Sequence, residues 1–412
     1  MARARAEKSA RTKRRRIEPA DIPEEIVEQI LLRLPVKSIL RFRSVCRSWH
    51  AMVADPRFVR LQLHHSTAAR RRPPSMLVLQ HWRKPQEWKG TIGFFRYPGH
   101  GTTAEFAHER AWSSLVDTDL DLPLKSLHCN GLVLVCSAGS SSEIFVCNPA
   151  TKELAVLPAG TADYIGAQTV GFGADQSTGN IKVVRCFIRH YNETWTDYSV
   201  GCEIFSLGSR AWRPVADSPY FVGSTTSQCI LGAIYWIAVL PTPPTGSCTT
   251  PGMLRFDVRN EEFADFPCPP CLRLEDDVSN TLTELAGKLC CAHVLAGETT
   301  VQLWTASAAD DGGGGGPRWS LHCTVVLCHG QPARSVSPFA GDYQGGIFFN
   351  VDLNVIYRYD SERQVVERVV DMHKEMTYLR SRGKLYHRLS RGGQWMHHVI
   401  QYRESLVSIK AN

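Results

Sequence analysis

Two pairs of metal-binding residue types in the second half of the chain have a spacing that can bind zinc. Cys268 and Cys271 are separated by two residues, and Cys290 and His293 repeat that spacing after eighteen intervening residues. Thiolate and imidazole are the ligands of structural zinc sites. Residues 289–294, however, are typical of a β-strand, in which Cys290 and His293 point to opposite faces and cannot bind one ion. We therefore expect no metal and no cofactor.

Other motifs that carry catalysis or ligand binding are incomplete or absent. Asp117, Asp119 and Asp121 have the spacing of a calcium loop, but Leu122 replaces the required glycine and His128 replaces the final glutamate. The sequence contains no P-loop, no H-E-x-x-H, no G-x-S-x-G and no Rossmann fingerprint. We expect no catalytic residues.

The positive charge of the chain is concentrated at its beginning. Residues 1–16 contain eight Lys and Arg residues and one acid, and the rest of the chain has equal numbers of acidic and basic residues. This distribution argues against a nucleic-acid partner. Nucleic-acid binding through the basic tail is one alternative, and it would depend strongly on salt. The tail also contains a candidate nuclear-import signal, formed by Lys13, Arg14, Arg15 and Arg16. The alternative is a solvated tail without a specific reader.

The sequence gives no sign of a membrane or secretory segment. No apolar stretch reaches the 18 residues of a membrane span, and no apolar region follows the first charges. The 14 cysteines are therefore expected as free thiols in a reducing compartment. We expect the protein in the nucleus, the cytoplasm or both, without a membrane partner.

Residues 21–63 have the periodicity of a small helical module. Asp21 and Glu24 have the spacing of a capping box, and apolar residues then recur at helical intervals until Pro35 ends the first helix. A second helical segment follows and ends at Asp55. Two or three helices in about 40 residues are close to the lower limit for independent folding. Such a module is expected to complete its apolar cluster against the following domain or against a partner protein.

The same residues resemble an F-box. The opening Ile22-Pro23-Glu24, the break at Leu34-Pro35 and the ending Val45-Cys46-x-x-Trp49 occur in F-box order and spacing, with Ile22 where Leu is commoner. The resemblance implies a three-helix module that docks on a Skp-type adaptor, and through it on the cullin and RING subunits of a ubiquitin ligase. Transferred by position, the candidate adaptor-binding residues are Ile22, Pro23, Ile26, Ile30, Leu31, Leu34, Pro35, Val36, Leu40, Val45, Cys46 and Trp49. Which of these hold the module's own core, Val45 and Trp49 in particular, stays open.

Beyond the module the chain changes from helical to strand periodicity. Residues 64–75 are polar, basic and rich in proline at their end, which indicates a linker. Between residues 76 and 410, short apolar runs are separated by Gly, Pro, Asn and Asp clusters, the pattern of an all-β domain. Residues 1–20 remain as a disordered basic tail.

Strand-like segments recur in this region at intervals of 48 to 60 residues. They end near Phe95, Phe145, Phe205, Phe256, Trp304 and Tyr357. A repeat of about 50 residues with four short strands is typical of kelch-like propellers. The sequence therefore predicts a kelch-like β-propeller of six or more blades, in which residues 384–407 supply another unit or close the ring. A pair of β-sandwiches is the alternative fold.

The β region resembles the plant F-box-associated domain. The resemblance is carried by residues 128–133 (HCNGLV), 147–153 (CNPATKE) and 402–407 (YRESLV). Together with the F-box, it implies the non-catalytic substrate-recognition subunit of a Skp–cullin–F-box ubiquitin ligase, with a protein substrate that the sequence does not identify. The alternative from a different class is a propeller enzyme or a glycan-binding module with a helical appendage.

Overall fold

The fold divides into a helical module and a β-propeller. The computed structural model describes residues 22–68, 75–83, 89–113, 125–136, 143–164, 168–192, 197–209, 211–220, 222, 227–240, 250–272, 279–294, 299–307, 317–327, 335–342, 345–380, 383–385 and 394–410. No helix within these ranges is long and apolar enough to cross a membrane.

The helical module contains four helices, one more than predicted. They are α1 (Glu24–Leu32), α2 (Val36–Phe42), α3 (Arg47–Ala54) and α4 (Pro56–Ala68). The sequence Asp55-Pro56, expected to end the helical segment, also starts α4. The Asp55 carboxylate accepts a hydrogen bond from the backbone N–H of Arg57 at 2.7 Å, and proline is favoured in the first turn because its missing N–H has no helical partner there. Residues 64–68 of the predicted linker are therefore helical.

Helix α1 begins without the predicted capping box. Pro23 occupies its N-cap position, and no side chain caps the helix there. Asp21, the predicted cap, lies outside the described residues. Proline also precedes α2, where Pro35 takes the N-cap position and turns the chain after α1. The two prolines thus set where α1 and α2 begin.

The strands form six sheets in the described part of the chain, and each sheet is one blade. The strands are, in chain order: β1 (Met76–Arg83), β2 (Lys89–Tyr97), β3 (Thr103–Ser113), β4 (Lys125–Cys129), β5 (Leu132–Cys136), β6 (Ile144–Asn148), β7 (Glu153–Val156), β8 (Thr169–Ala174), β9 (Ile181–Tyr191), β10 (Tyr198–Ser206), β11 (Arg213–Pro214), β12 (Gln228–Ile230), β13 (Ala233–Leu240), β14 (Thr250–Asp257), β15 (Glu262–Phe266), β16 (Ser279–Leu285), β17 (Lys288–Val294), β18 (Thr300–Ala306), β19 (Trp319–Val326), β20 (Val336–Gly341), β21 (Ile347–Val351), β22 (Val355–Asp360), β23 (Val365–Asp371), β24 (Thr377–Leu379) and β25 (Gln394–Gln401). Blade 1 has the order β24-β3-β2-β1-β25, and blades 2 to 6 are β4–β7, β8–β11, β12–β15, β16–β19 and β20–β23.

The blades close into a ring through the two ends of the β region. The first strands of the blades, β25, β4, β8, β12, β16 and β20, contact one another in a complete circle and line the central channel. Strand β25 pairs antiparallel with β1, from Met76 opposite Gln401 to Arg83 opposite Gln394. The predicted role of the end of the chain in closing the ring is confirmed, and the propeller has six blades.

The aromatic repeat marks the third strand of every blade, counted from the channel. Its members lie on β2, β6, β10, β14, β18 and β22, in the order Phe95, Phe145, Phe205, Phe256, Trp304 and Tyr357. Phe95, Phe145, Phe205, Phe256 and Tyr357 are buried members of the apolar clusters that hold the blades together. A large side chain at this point of each repeat fills the space between blades, which explains the period in the sequence.

Candidate functional site

Helix α1 presents apolar side chains on two faces, and only one face is covered. The covered face packs into the core of the helical module through Val27, Leu31 and Leu32. On the other face Ile26 and Ile30 are 51% and 47% exposed, and Ile22, just before the helix, is 58% exposed. These three residues, spaced by four, form a continuous row on one face, which we call the isoleucine stripe. A row of half-exposed isoleucines is a surface that binding would bury.

A second exposed apolar area lies at the turn between α2 and α3. Val45 is 59% exposed, and Phe42 is 37% exposed and packs edge-to-face on Trp49 with ring centroids 5.8 Å apart. A shallow cavity of about 530 Å³ opens here, lined by Ser38, Leu40, Arg41, Phe42, Ser44 and Val45. The area offers aromatic and aliphatic groups beside the cationic Arg41 side chain.

The structure divides the twelve candidate adaptor-binding residues into surface and core. Seven are exposed: Ile22, Pro23, Ile26, Ile30, Pro35, Val45 and Cys46. Three are half-buried: Leu34, Leu40 and Trp49. Leu31 and Val36 are buried inside the module, so their side chains hold its core and do not reach its surface. Phe42 is missing from the predicted set, because helical periodicity in the sequence cannot distinguish an outward from an inward aromatic residue.

Cys46 adds a polar, ionisable group to this surface. It occupies the N-cap position of α3, and its Sγ lies 3.3 Å from the Ser48 hydroxyl oxygen. The hydrogen bond with Ser48 and a second one from the backbone N–H of Trp49 lower the pKa of the Cys46 thiol. Both contacts favour the thiolate, since each places a donor proton on the sulfur.

Residues 402–410 leave β25 and lie across blade 2. We call them the tail; they are at the other end of the chain from the basic residues 1–20. The buried Asn148 side chain binds them: its Nδ2 donates to the backbone carbonyls of Ser405 and Val407 at 3.1 and 2.8 Å. Its Oδ1 accepts from the backbone N–H groups of Ala150 and Thr151 at 3.0 and 3.3 Å. A single amide thus uses both of its donors on the tail and its acceptor on the turn after β6.

The turn Asn130-Gly131, between β4 and β5, is the second anchor of the tail. The Ser405 hydroxyl donates to the Asn130 carbonyl at 2.6 Å. Gly131 has a φ of +81°, and a Cβ at this position would collide with the Ser405 hydroxyl and lie 2.8 Å from the Arg403 carbonyl oxygen. Glycine is required here both for the backbone conformation and for the close approach of the tail.

The tail connects the propeller to the helical module. Leu406 is 7% exposed and belongs to the same apolar cluster as Leu31, Val36 and Phe58, and Ala150 packs against that cluster. We call this contact, made by Leu406 and Ala150, the joint. The three segments that resemble the F-box-associated domain, residues 128–133, 147–153 and 402–407, therefore meet at the tail.

The helical module lies on one face of the propeller. The start of β1 and the end of β25 meet at this face, as do the turns that hold the tail, because neighbouring strands in a blade alternate in direction. The strand ends that lead to the next blade, and from the second to the third strand of a blade, lie on the opposite face. That opposite face is free of the joint.

The candidate zinc ligands do not converge on one ion. Cys290 and Cys291 lie on β17 and pack into clusters on opposite sides of blade 5, and Cys268 packs with Cys291. His293 bonds through Nδ1 to the Asn280 side-chain oxygen at 2.9 Å. Within the described ranges, no group of three or more His, Cys, Asp or Glu residues could hold a metal ion. The calcium-like segment 117–121 and the basic run 13–16 lie outside those ranges.

Comparisons with known proteins assign both parts of the chain. Residues 20–61 match the F-box domain, and residues 106–409 match the F-box associated beta propeller domain. An F-box/LRR-repeat protein of Arabidopsis thaliana is 23% identical over 358 residues, which cover 82% of this chain and 76% of that protein. An Arabidopsis F-box protein is 25% identical over 364 residues, 82% and 78% of the two chains. An Arabidopsis F-box/kelch-repeat protein is 26% identical over 271 residues, 63% and 69%.

One solved structure has a distant similarity to the propeller. Oligogalacturonate lyase in complex with manganese aligns with a TM-score of 0.39 and 11% identity, covering 72% of this chain and 79% of the lyase. Similarity at this level carries no argument about activity.

Proposed function

Because the chain belongs to the family of F-box proteins with an F-box associated β-propeller domain, we propose that it is the substrate-recognition subunit of a Skp–cullin–F-box ubiquitin ligase. The helical module docks on a Skp-type adaptor, which connects it to the cullin and RING subunits. The propeller binds a protein substrate. The transfer chemistry belongs to the partner subunits, and this chain contributes proximity and orientation.

The isoleucine stripe is the observation that carries this proposal. Its residues are about half exposed although the same helix buries its other face in a complete core. Burying such side chains against a groove contributes roughly 25 cal/mol per Å² of apolar surface, and a central anchor contributes about 2 kcal/mol or more. This matches the way in which amphipathic helices bind apolar grooves, with anchors at i, i+4 and i+8.

Calorimetric titration of the full chain with a purified Skp-type adaptor tests the proposal. The variant Ile30→Glu places a charge in the stripe, and we expect it to weaken binding by about 30-fold or more, the equivalent of 2 kcal/mol. Val365→Glu is the matched control: it makes the same kind of change at a residue of 46% exposure, against 47% for Ile30, but on β23 of blade 6. We expect the control to bind like the wild type.

Two results would overturn the proposal. One is a folded wild-type chain that does not bind the adaptor at micromolar concentration. The other is equal weakening by the stripe variant and the propeller control, which would place the contact elsewhere or make it unspecific. Circular dichroism of each variant separates loss of binding from loss of folding.

The position of the joint supports a proposal about the face on which a substrate binds. We propose that substrate binds on the propeller face opposite the helical module, since a substrate there does not compete with the adaptor. The strand ends on this face lead into the connections between blades, and loops of this kind tolerate sequence changes that the sheets do not. Loop replacement on this face is expected to change substrate capture and to leave adaptor affinity unchanged.

The basic run supports a proposal about where in the cell the protein acts. We propose that Lys13, Arg14, Arg15 and Arg16 direct nuclear import, so that the protein acts in the nucleus as well as the cytoplasm. Replacing the four residues with alanine in a fluorescent fusion is expected to shift the protein towards the cytoplasm. An unchanged distribution would remove this role from the run.

A further inference from the structure

The tail is bound to the propeller on both sides of Leu406. The Asn148 amide donates to the carbonyls of the two residues that flank it, Ser405 and Val407. Val407 packs against the apolar cluster of blades 2 and 3, whereas Leu406 belongs to the cluster of the helical module. Because its two neighbours are held against blade 2, the Leu406 side chain has a defined position in the helical module.

Two further contacts fix the tail before and after Leu406. The Glu404 carboxylate forms an ion pair with Arg96, which lies on β2 of blade 1. The backbone N–H of Ile409 donates to the carboxylate of Glu153, on β7 of blade 2, at 2.8 Å. Blades 1 and 2 therefore bind the tail together.

The tail reaches these anchors when β25 is in its place in the ring. It begins directly after Gln401, the last residue of β25, which is paired with Met76 at the start of β1. Strand β25 also contacts β4 of blade 2. In a propeller with an unpaired β25, the tail would start far from its anchors, so the position of Leu406 depends on closure of the ring.

Leu406 packs in the same apolar cluster as the covered face of α1. That face consists of Val27, Leu31 and Leu32, and the isoleucine stripe lies on the other face of the same helix. A side chain that supports one face of a helix also determines how the other face is presented. In a module of this size, each core side chain is a large part of the total, because small domains bury a small fraction of their surface.

We propose that the tail makes adaptor docking conditional on a closed propeller, with Leu406 as the residue that positions α1. This inference rests on the proposed docking of the helical module on a Skp-type adaptor. When the tail is bound, α1 presents the isoleucine stripe; when the tail is released, the module lacks part of its core and a smaller fraction of molecules can dock. The apparent Kd rises in inverse proportion to that fraction. A chain whose ring is incomplete is thereby kept from the ligase.

Calorimetric titration of full-chain variants with a purified Skp-type adaptor tests the proposal. The titrations are made well below the melting temperatures, where circular dichroism shows the same helical content in each variant. We expect Leu406→Ala to weaken binding by about tenfold or more, and Leu406→Met to restore most of the affinity because it conserves the volume of the side chain. Leu285→Ala is the matched control: it makes the same change at 5% exposure, against 7% for Leu406, but on β16 of blade 5. We expect the control to bind like the wild type.

A second variant separates positioning by the tail from filling of the core. Asn148→Ala leaves every residue of the helical module and Leu406 unchanged, but it removes the hydrogen bonds that hold the tail on both sides of Leu406. We expect it to weaken adaptor binding as well. If Leu406 only filled a core, binding would not depend on an asparagine of blade 2.

Hydrogen–deuterium exchange of the wild-type chain tests the same coupling without a substitution. Two coupled equilibria affect each other by the same factor, so the adaptor must favour the bound state of the tail if the tail favours the adaptor. We expect the adaptor to slow exchange in residues 402–410, although these residues lie outside the isoleucine stripe. This measurement decides the question if Leu406→Ala fails to fold.

The outcomes distinguish this inference from the proposed function. If the wild type binds the adaptor and both Leu406→Ala and Asn148→Ala bind like Leu285→Ala, the inference is wrong and the docking proposal stands. Unchanged exchange in residues 402–410 on binding of the adaptor would also overturn the inference. A folded wild-type chain that does not bind the adaptor would overturn the proposed function, and the inference with it.

Discussion

Replacing Leu406 with alanine removes the one tail side chain that enters the core of the helical module. Leu406 is 7% exposed and lies among Val27, Leu31 and Phe58. A buried Leu→Ala change costs about 2–5 kcal/mol, depending on how far the site collapses around the cavity. A helical module of this size has little stability to spare, because small domains bury a small fraction of their surface. We therefore expect Leu406→Ala to unfold the helices at a lower temperature than the propeller.

Thermal unfolding followed by two signals measures this separation. Circular dichroism at 222 nm reports chiefly on the helices. Tryptophan fluorescence reports chiefly on the propeller, because Trp49 is the one tryptophan of ten that lies in the helical module. For a module of this size a loss of 2 kcal/mol corresponds to a shift of about 10 °C in the helical transition. The tryptophan transition is expected to move by much less.

Ile409→Ala is the matched control for the joint. Ile409 belongs to the same tail and is buried to a similar extent, but it packs against the apolar cluster of blades 2 and 3. We expect this variant to lower the temperature of the tryptophan transition. The helical transition is expected at that temperature or above it. Our account of the joint is refuted if the two variants give the same pattern, or if Leu406→Ala leaves a single transition for both signals.

Further predictions concern the tail anchors and the closure of the ring. Asn148→Ala removes four hydrogen bonds made by one buried amide, and we expect a loss of about 2–4 kcal/mol in unfolding free energy, measured by urea denaturation. Gly131→Ala is expected to release the tail, seen as faster proteolysis after residue 401, because the added methyl collides with it; unchanged proteolysis would contradict this. Burial lowers the pKa of His128 and His398 to about 4 and that of His397 to about 3, so the folded protein binds fewer protons than the unfolded chain. The free energy of unfolding that depends on these neutral histidines is fully present above pH 6.5 and is lost as the pH falls towards 4. The loss is about 1.4 kcal/mol per pH unit for each histidine. Denaturation at several pH values measures this slope, and we expect His397→Gln to make it smaller.

The sequence was sufficient to predict the architecture, because each blade has a large side chain at the same position of its third strand. The aromatic residues from Phe95 to Tyr357 fill equivalent positions on the third strands, so their spacing reports the repeat directly. The end of the chain was harder to place. Strand β25 pairs with β1 across more than 300 residues of sequence, and local periodicity carries no information on which distant edge a strand joins.

The candidate site was predictable in its location but not in its detail. The F-box pattern identified the helices. Ile30 and Leu31, however, are adjacent apolar residues of α1, and Leu31 is buried whereas Ile30 is exposed. Helical spacing gives the angle between them but not the direction of the core, since that direction depends on α4 and on Leu406. Helix α4 was missed because Asp55-Pro56 is equally typical of the end of one helix and the start of the next.

The joint had a signal in the sequence that could not be interpreted without the structure. Asn148 and Gly131 stand in the segments that resemble the F-box-associated domain, but a turn explains both residue types on its own. Only the position of the tail shows that the Asn148 side chain binds it and that the missing side chain of Gly131 lets it approach.

Hydrogen–deuterium exchange of the full chain, with and without a purified Skp-type adaptor, tests the central claim most directly, because it reports binding and its location together. We predict slower exchange in residues 22–45, which contain the isoleucine stripe and the exposed turn between α2 and α3, and unchanged exchange in blades 2 to 6. Protection confined to the propeller, or no protection at adaptor concentrations well above micromolar, would contradict the claim that the helical module is the docking surface.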